Sequence, residues 1–163
     1  MELTIIIFLL GGLFLGWSLG ANDAANVFGT AVGTRMVQFK TAAIVCSIFV
    51  ILGAIISGSG TTETLGKLGS INALPGAFAA CVAAGLSVYI MTKSGLPVST
   101  TQAIVGAIIG WNLYTGSSTN IQVLITILGT WVLCPIIAGL LSMLFFVITK
   151  NFLLKAKLHI LRL

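Results

Sequence analysis

The sequence predicts an all-α integral membrane protein with about five transmembrane crossings, some of them broken. Three observations carry this. Hydrophobic residues fill 58% of the 163 positions and charged ones only 7%, where a water-soluble domain carries about a quarter. Mean hydropathy is +1.15, and the apolar residues fall in runs long enough to span a bilayer. Polar residues, glycines and prolines interrupt those runs at a few defined places.

The first crossing covers residues 3–33 and is expected to be broken. Leu3–Leu19 is an apolar span, then Gly20 opens "GANDAAN", and Ala24–Gly33 reads as a second short helical piece. Asn22 or Asp23 is the natural N-cap of that piece, because a short polar side chain satisfies the first free N–H groups of a helix. The two residues before the run, Met1-Glu2, lack the Lys or Arg of a secretory signal,. The second span is 41–57, followed by a polar connection, Gly58–Asn72. The third is 75–92, rich in small residues, with Lys93–Leu96 as a turn. The fourth, 97–113, opens with proline and is at the lower limit for a crossing,. Tyr114–Asn120 is a turn, and 121–149 is a long span in which Pro135 predicts a kink,. Residues 1–149 thus form one transmembrane unit. The stretch 150–163 is a basic amphipathic tail or linker suited to a membrane surface,.

With five crossings, Arg35, Lys40, Lys93, Lys150, Lys155, Lys157 and Arg162 share one side, and Lys67 stands alone on the other. Were 97–113 a re-entrant loop instead, the four tail bases would move outside, so the charge count favours a crossing,. The positive-inside rule then places the N-terminus outside and the tail in the cytoplasm of a multi-pass cell-membrane protein. The net charge of +5 is explained by this topology. No aromatic-basic interleaving points to nucleic acid. An odd number of crossings would insert a second copy upside down, the arrangement of inverted-repeat transporters, so the chain reads as one such half.

Asp23 is the one acid expected at membrane depth, since Glu2 is terminal and Glu63 lies in a connection. Intramembrane carboxylates are costly unless paired or liganded. Flanking Asn22 and Asn26, with carbonyls of an unwound segment, would complete an all-oxygen cage for a hard cation such as sodium. A proton on Asp23 is the alternative. Another cluster, Ser99, Thr100 and Thr101, opens the fourth helix, where free N–H groups and the helix dipole favour an anion,. Ordinary capping is the competing explanation. An anion beside Asp23 requires a cation or proton between them, which is the logic of symport. Gln102 follows this cluster, and Thr61, Thr62 and Glu63 are weaker candidates for the ion site.

Other chemistries are poorly served. "GTTETLGKL" lacks the Ser or Thr after lysine that a phosphate loop needs,. His159 is the single histidine, and Cys46, Cys81 and Cys134 lie singly in apolar runs. No nucleophile–base pair or metal set is present, so the chain is not expected to be an enzyme or to need a cofactor. Small-xxx-small faces at Gly12, Gly16 and Gly20, at Gly29 and Gly33, and at Gly106 and Gly110 predict close helix packing,.

"GANDAANVFGTAVGTR" and "GLPVSTTQAIVGAIIG" resemble the inorganic phosphate transporter family, sodium- or proton-coupled phosphate permeases. The Asn-Asp stretch is similar to that family's GANDxAN signature. The Ser-Thr-Thr stretch is similar to its PVSTT segment, where many relatives place His at the position of Gln102. The resemblance implies phosphate uptake coupled to a cation, with two inverted repeats that each carry both motifs. Asp23 and Asn26 would then serve substrate and cation, with Asn22 beside them, and Ser99, Thr100 and Thr101 would bind phosphate oxygens. The chain departs from the family in length and has a single GANDxAN, so it would supply half a site and need a second repeat or partner half. A homodimer is a further expectation. Transport of another oxyanion such as sulfate, or a non-transporting membrane subunit, are the alternatives.

Overall fold

A computed structural model describes residues 2–69 and 74–154. The chain is all-helical: α1 (Glu2–Gly33), α2 (Phe39–Leu68), α3 (Leu74–Lys93), α4 (Thr100–Thr115) and α5 (Ile121–Ile148), which runs into a π-helical turn, Thr149–Leu154. It divides into two compact units, 1–120 and 121–163. Among the described residues, four helices are long and apolar enough to cross a membrane. The exception is α4. Its 16 residues rise about 24 Å, short of a hydrocarbon core of about 30 Å.

Two sequence expectations are corrected. The first helix is not broken at Gly20: α1 is one continuous helix of 32 residues. Gly20 has an ordinary negative φ inside that helix and imposes no turn. The neighbouring asparagine and aspartate bond to other elements instead of capping. The expected polar connection after Ser57 is also helical, as far as Leu68. Its polar residues bond within the helix: the Thr62 and Thr64 hydroxyls donate to the carbonyls of Gly58 and Gly60, and Lys67 pairs with Glu63 one turn away. Positions 70–72 of that stretch, and 155–163 of the basic tail, lie outside the described residues.

The first unit is organised around α3. α1 packs chiefly on α3, α3 on α4, and α2 touches α1 sparingly. Gly11 lies against Phe78, Gly85 against Phe14 and Leu15, and Asn22 against Thr92. These contacts ascend together, so α1 and α3 run parallel. Gly76 sits under the Trp111 ring, which places the end of α4 beside the start of α3. The two form an antiparallel hairpin whose tip lies level with Asn22 and Asp23. α1 continues ten residues further, about 15 Å. The buried residues of α3 are small: Gly76, Ala80, Ala84, Gly85 and Val88. Small side chains let helix backbones approach. At Gly12, Gly16 and Gly20, and at Gly106 and Gly110, a Cβ would meet nothing within 4 Å among the described residues, so the close packing expected of these faces is not formed there.

Three helices end in the same way. Leu96 N–H bonds Met91 and Gly95 N–H bonds Thr92; Ser117 bonds Asn112 and Gly116 bonds Leu113; Met36 bonds Ala31 and Arg35 bonds Val32. Each is a Schellman pair closed by a left-handed residue. Two of these residues are glycines, Gly95 and Gly116, but the third is Arg35, with φ 61°. A non-glycine residue costs about 1–2 kcal/mol there. At the far end Asn112 is fully buried, donates to Thr119 at 2.9 Å and lies against Gly69. Asn120 N–H donates to the Leu68 carbonyl at 3.0 Å, so the end of α2 is tied to the end of α4.

A Cβ at Gly85 would lie 2.7 Å from the Phe14 ring and 3.4 Å from Leu15 Cα. Gly85→Val should therefore push α1 off α3 and cost about 1–3 kcal/mol. Thermal unfolding in detergent should show a lowered midpoint; an unchanged midpoint would contradict this packing.

Candidate functional site

Ser18, Asn22 and Asn26 are spaced four apart, so a continuous α1 carries them on one face. Asp23 stands about 100° around the helix from Asn22. The Thr100 hydroxyl, at the first residue of α4, donates to Asp23 Oδ1 at 3.0 Å. The amide of Asn22 satisfies both its ends when it donates to the Val98 carbonyl at 2.9 Å and to Asp23 Oδ1 at 3.2 Å, and accepts from the Thr92 hydroxyl at 2.8 Å,. The Asn26 amide lies 3.3 Å from that of Asn22. One compact node thus joins α1, the end of α3, the connecting loop and the start of α4.

The node is partly sealed. Asn22 and Thr100 are 4% and 6% exposed, and Ser18 only 1%. Ser18 Oγ has no hydrogen-bond partner among the described residues, although it lies one turn from Asn22. Asp23 is half-buried and Asn26 exposed. The hydrogen bonds from Thr100 and Asn22 to Asp23 both fall on Oδ1. They leave Oδ2 unengaged among the described residues. Asp23 borders a cavity of about 770 Å³ between α1 and α2.

The three hydroxyls expected to act alike have different positions. Ser99 is the N-cap of α4 and accepts from the Gln102 N–H at 3.3 Å. Thr100 is committed to Asp23. Thr101 and Gln102 are on the first turn, Thr101 exposed and Gln102 exposed beside it. Because α1 stays helical, its backbone carbonyls are used in the helix and do not form the expected unwound cage. The oxygens gathered here come from Asp23, Asn22, Thr92, Thr100 and the Val98 carbonyl. Thr61, Thr62 and Glu63 are not brought to this node: α2 ends beside Asn112, about 18 Å along α4 from Thr100. Thr92 and Ser18 belong to the node but lie outside both motifs, and Val98, inside the PVSTT segment, contributes through its backbone carbonyl. The period-four spacing of Ser18, Asn22 and Asn26 was the available signal, and the break expected at Gly20 concealed it.

Two motifs whose contacting residues are 77 apart in sequence, the Asn-Asp motif and the Ser-Thr-Thr motif, therefore meet directly. The phosphate transporter family model matches residues 19–162. The chain belongs to the phosphate transporter family. It is 34% identical over 163 residues to a Pyrococcus furiosus protein named "Putative phosphate permease", covering 94% of this chain and 40% of that one. A Haemophilus influenzae protein of the same name is 36% identical over 152 residues, covering 86% of this chain and 36% of that one. A Plasmodium falciparum protein named sodium-dependent phosphate transporter is 32% identical over 155 residues, covering 88% and 23%. The chain thus spans about two fifths of the length of the first relatives it matches. These relatives are permeases and transporters, not enzymes. No solved structure matches the chain significantly.

The bond between Asp23 and Thr100 should be measurable as a coupling. In a double-mutant cycle with Asp23→Ala and Thr100→Val, unfolding free energies should deviate from additivity by about 0.5–3 kcal/mol. Strict additivity would contradict the contact.

Proposed function

We propose that this chain supplies one half of a phosphate site in a secondary transporter that imports inorganic phosphate by symport with sodium or protons. The observation that supports this best is the Thr100–Asp23 hydrogen bond at 3.0 Å, which joins the acid to the start of an anion-favouring helix. The name of the Plasmodium relative favours sodium as the coupling ion.

The chemistry divides the roles. Thr100 Oγ1 spends its proton on Asp23, so its lone pairs remain as acceptors and suit a cation. Asp23 Oδ2, the Asn22 and Asn26 amide oxygens and Thr100 Oγ1 are hard oxygen ligands of the kind sodium takes. Phosphate needs donors. The free N–H groups of the first turn of α4 and the Thr101 hydroxyl provide them, with Ser99 holding the Gln102 N–H in place and the helix dipole adding positive potential. A cation on Asp23 removes the repulsion between carboxylate and phosphate. Each ion then strengthens the other's binding by the same factor. The remaining donors would come from a second repeat or partner half in the bilayer, inserted in the opposite orientation. The charge distribution favours Arg35, Lys40 and the tail on the cytoplasmic side and the N-terminus outside.

In cells or proteoliposomes carrying the native protein, a sodium or proton gradient should drive phosphate uptake. Asp23→Asn and Thr100→Ala should each reduce it about tenfold or more, and Thr100→Ser should retain most of it. Uptake that survives the first two changes would overturn the site assignment. Stronger competition by sulfate than by unlabelled phosphate would overturn the substrate.

A further inference from the structure

The cavity between α1 and α2 is separate from the hydrogen-bonded side of the node. Its walls include Gly16, Gly20, Gly29, Cys46 and Ser47, and Asp23 borders it. Gly16, Gly20 and Gly29 have open space where a Cβ would be, so bare backbone gives the cavity its width. Its volume of about 770 Å³ is far above what a single water needs. Two features decide what fills it. Asp23 uses Oδ1 for Thr100 and Asn22 and its half-buried side chain borders the cavity, where a carboxylate is poorly served by acyl chains or an apolar helix. At the other end the cavity reaches Gly33 and Phe39, which flank the turn containing Arg35, with Lys40 next to Phe39. Arg35 holds a left-handed backbone position, φ 61°, where glycine would be unstrained. Its side chain is thus kept at a local cost.

We propose that the α1–α2 cavity is a hydrated vestibule through which phosphate passes between Asp23 and the end of the unit that carries Arg35 and Lys40. This rests on the phosphate-transport reading above. The two cations concentrate the dianion at the mouth. The mostly apolar walls hold it weakly enough to let it move on. Neutralisation of Asp23 by the coupling ion opens the inner end.

Cys46 on the wall is a native reporter. In sealed vesicles of each orientation carrying the native protein, the anionic thiol reagent 2-sulfonatoethyl methanethiosulfonate should modify Cys46 from the Arg35 side. Saturating phosphate with sodium should slow that reaction several-fold, and Cys46→Ala should abolish the labelling assigned to it by peptide mass. Arg35→Gly, which relieves the backbone, should slow initial phosphate uptake several-fold at low phosphate without altering sodium dependence, and Arg35→Lys should restore it. Modification of Cys46 only by a membrane-permeant maleimide would show a lipid or helix in the cavity and overturn the vestibule. Labelling without protection by phosphate, or full uptake in Arg35→Gly, would overturn it as well. If the wild-type protein moves no phosphate in either vesicle, the transport reading itself fails. If uptake is intact but Cys46 is inaccessible, only the vestibule fails.

Discussion

A carboxylate within a membrane-spanning helix must find donors, and the fold of the first unit is arranged around meeting that requirement for Asp23. The Thr100 hydroxyl and the Asn22 amide both reach Oδ1. Asn22 in turn takes the Thr92 hydroxyl and gives to the Val98 carbonyl. Those few bonds fix the depth at which the α3–α4 hairpin stops against α1. They also satisfy the loop carbonyl at the hairpin tip, which would otherwise be left without a partner in an apolar setting.

Packing follows from that anchor. With Asn22 held against Thr92, the parallel run of α1 and α3 places Gly85 under Phe14 and Gly11 under Phe78. Each contact needs a glycine because the helix axes are already close. The small residues on the opposite flank of α1 have no such neighbours and border the cavity toward α2 instead. α1 therefore has two different faces: one meets α3 through Gly11, Phe14 and Leu15, and the other, with Gly16, Gly20 and Gly29, borders an open space.

Much of the unit's apolar surface is exposed, including Leu13, Val27, Ile55 and Ile56. Lipid and further membrane helices are both suitable surroundings for it. The relatives are about two and a half times as long as the matched stretch, so such helices are available within the family. Asp23 itself is half-buried, with one oxygen engaged by Thr100 and Asn22, and it borders the cavity between α1 and α2.

The sequence by itself determined the class, the helical content and the two motifs that matter. Apolar run length and scarcity of charge fix a membrane solution, because hydrocarbon tolerates few unsatisfied groups. α3 and α5 were legible for that reason, lying close to their expected ranges. α1 and α2 were not fully legible. Local propensity reads Gly20 and the Asn-Asp pair as a break, and the glycines and threonines after Ser57 as a connection. Tertiary partners and intrahelical hydroxyl bonds reverse both preferences. Which hydroxyl serves Asp23 was likewise undecidable from three adjacent candidates. Helix α4 points only one of them at Asp23, leaving Ser99 to cap and Thr101 exposed. Only the tertiary structure could decide that, because it depends on the angle at which a second helix arrives.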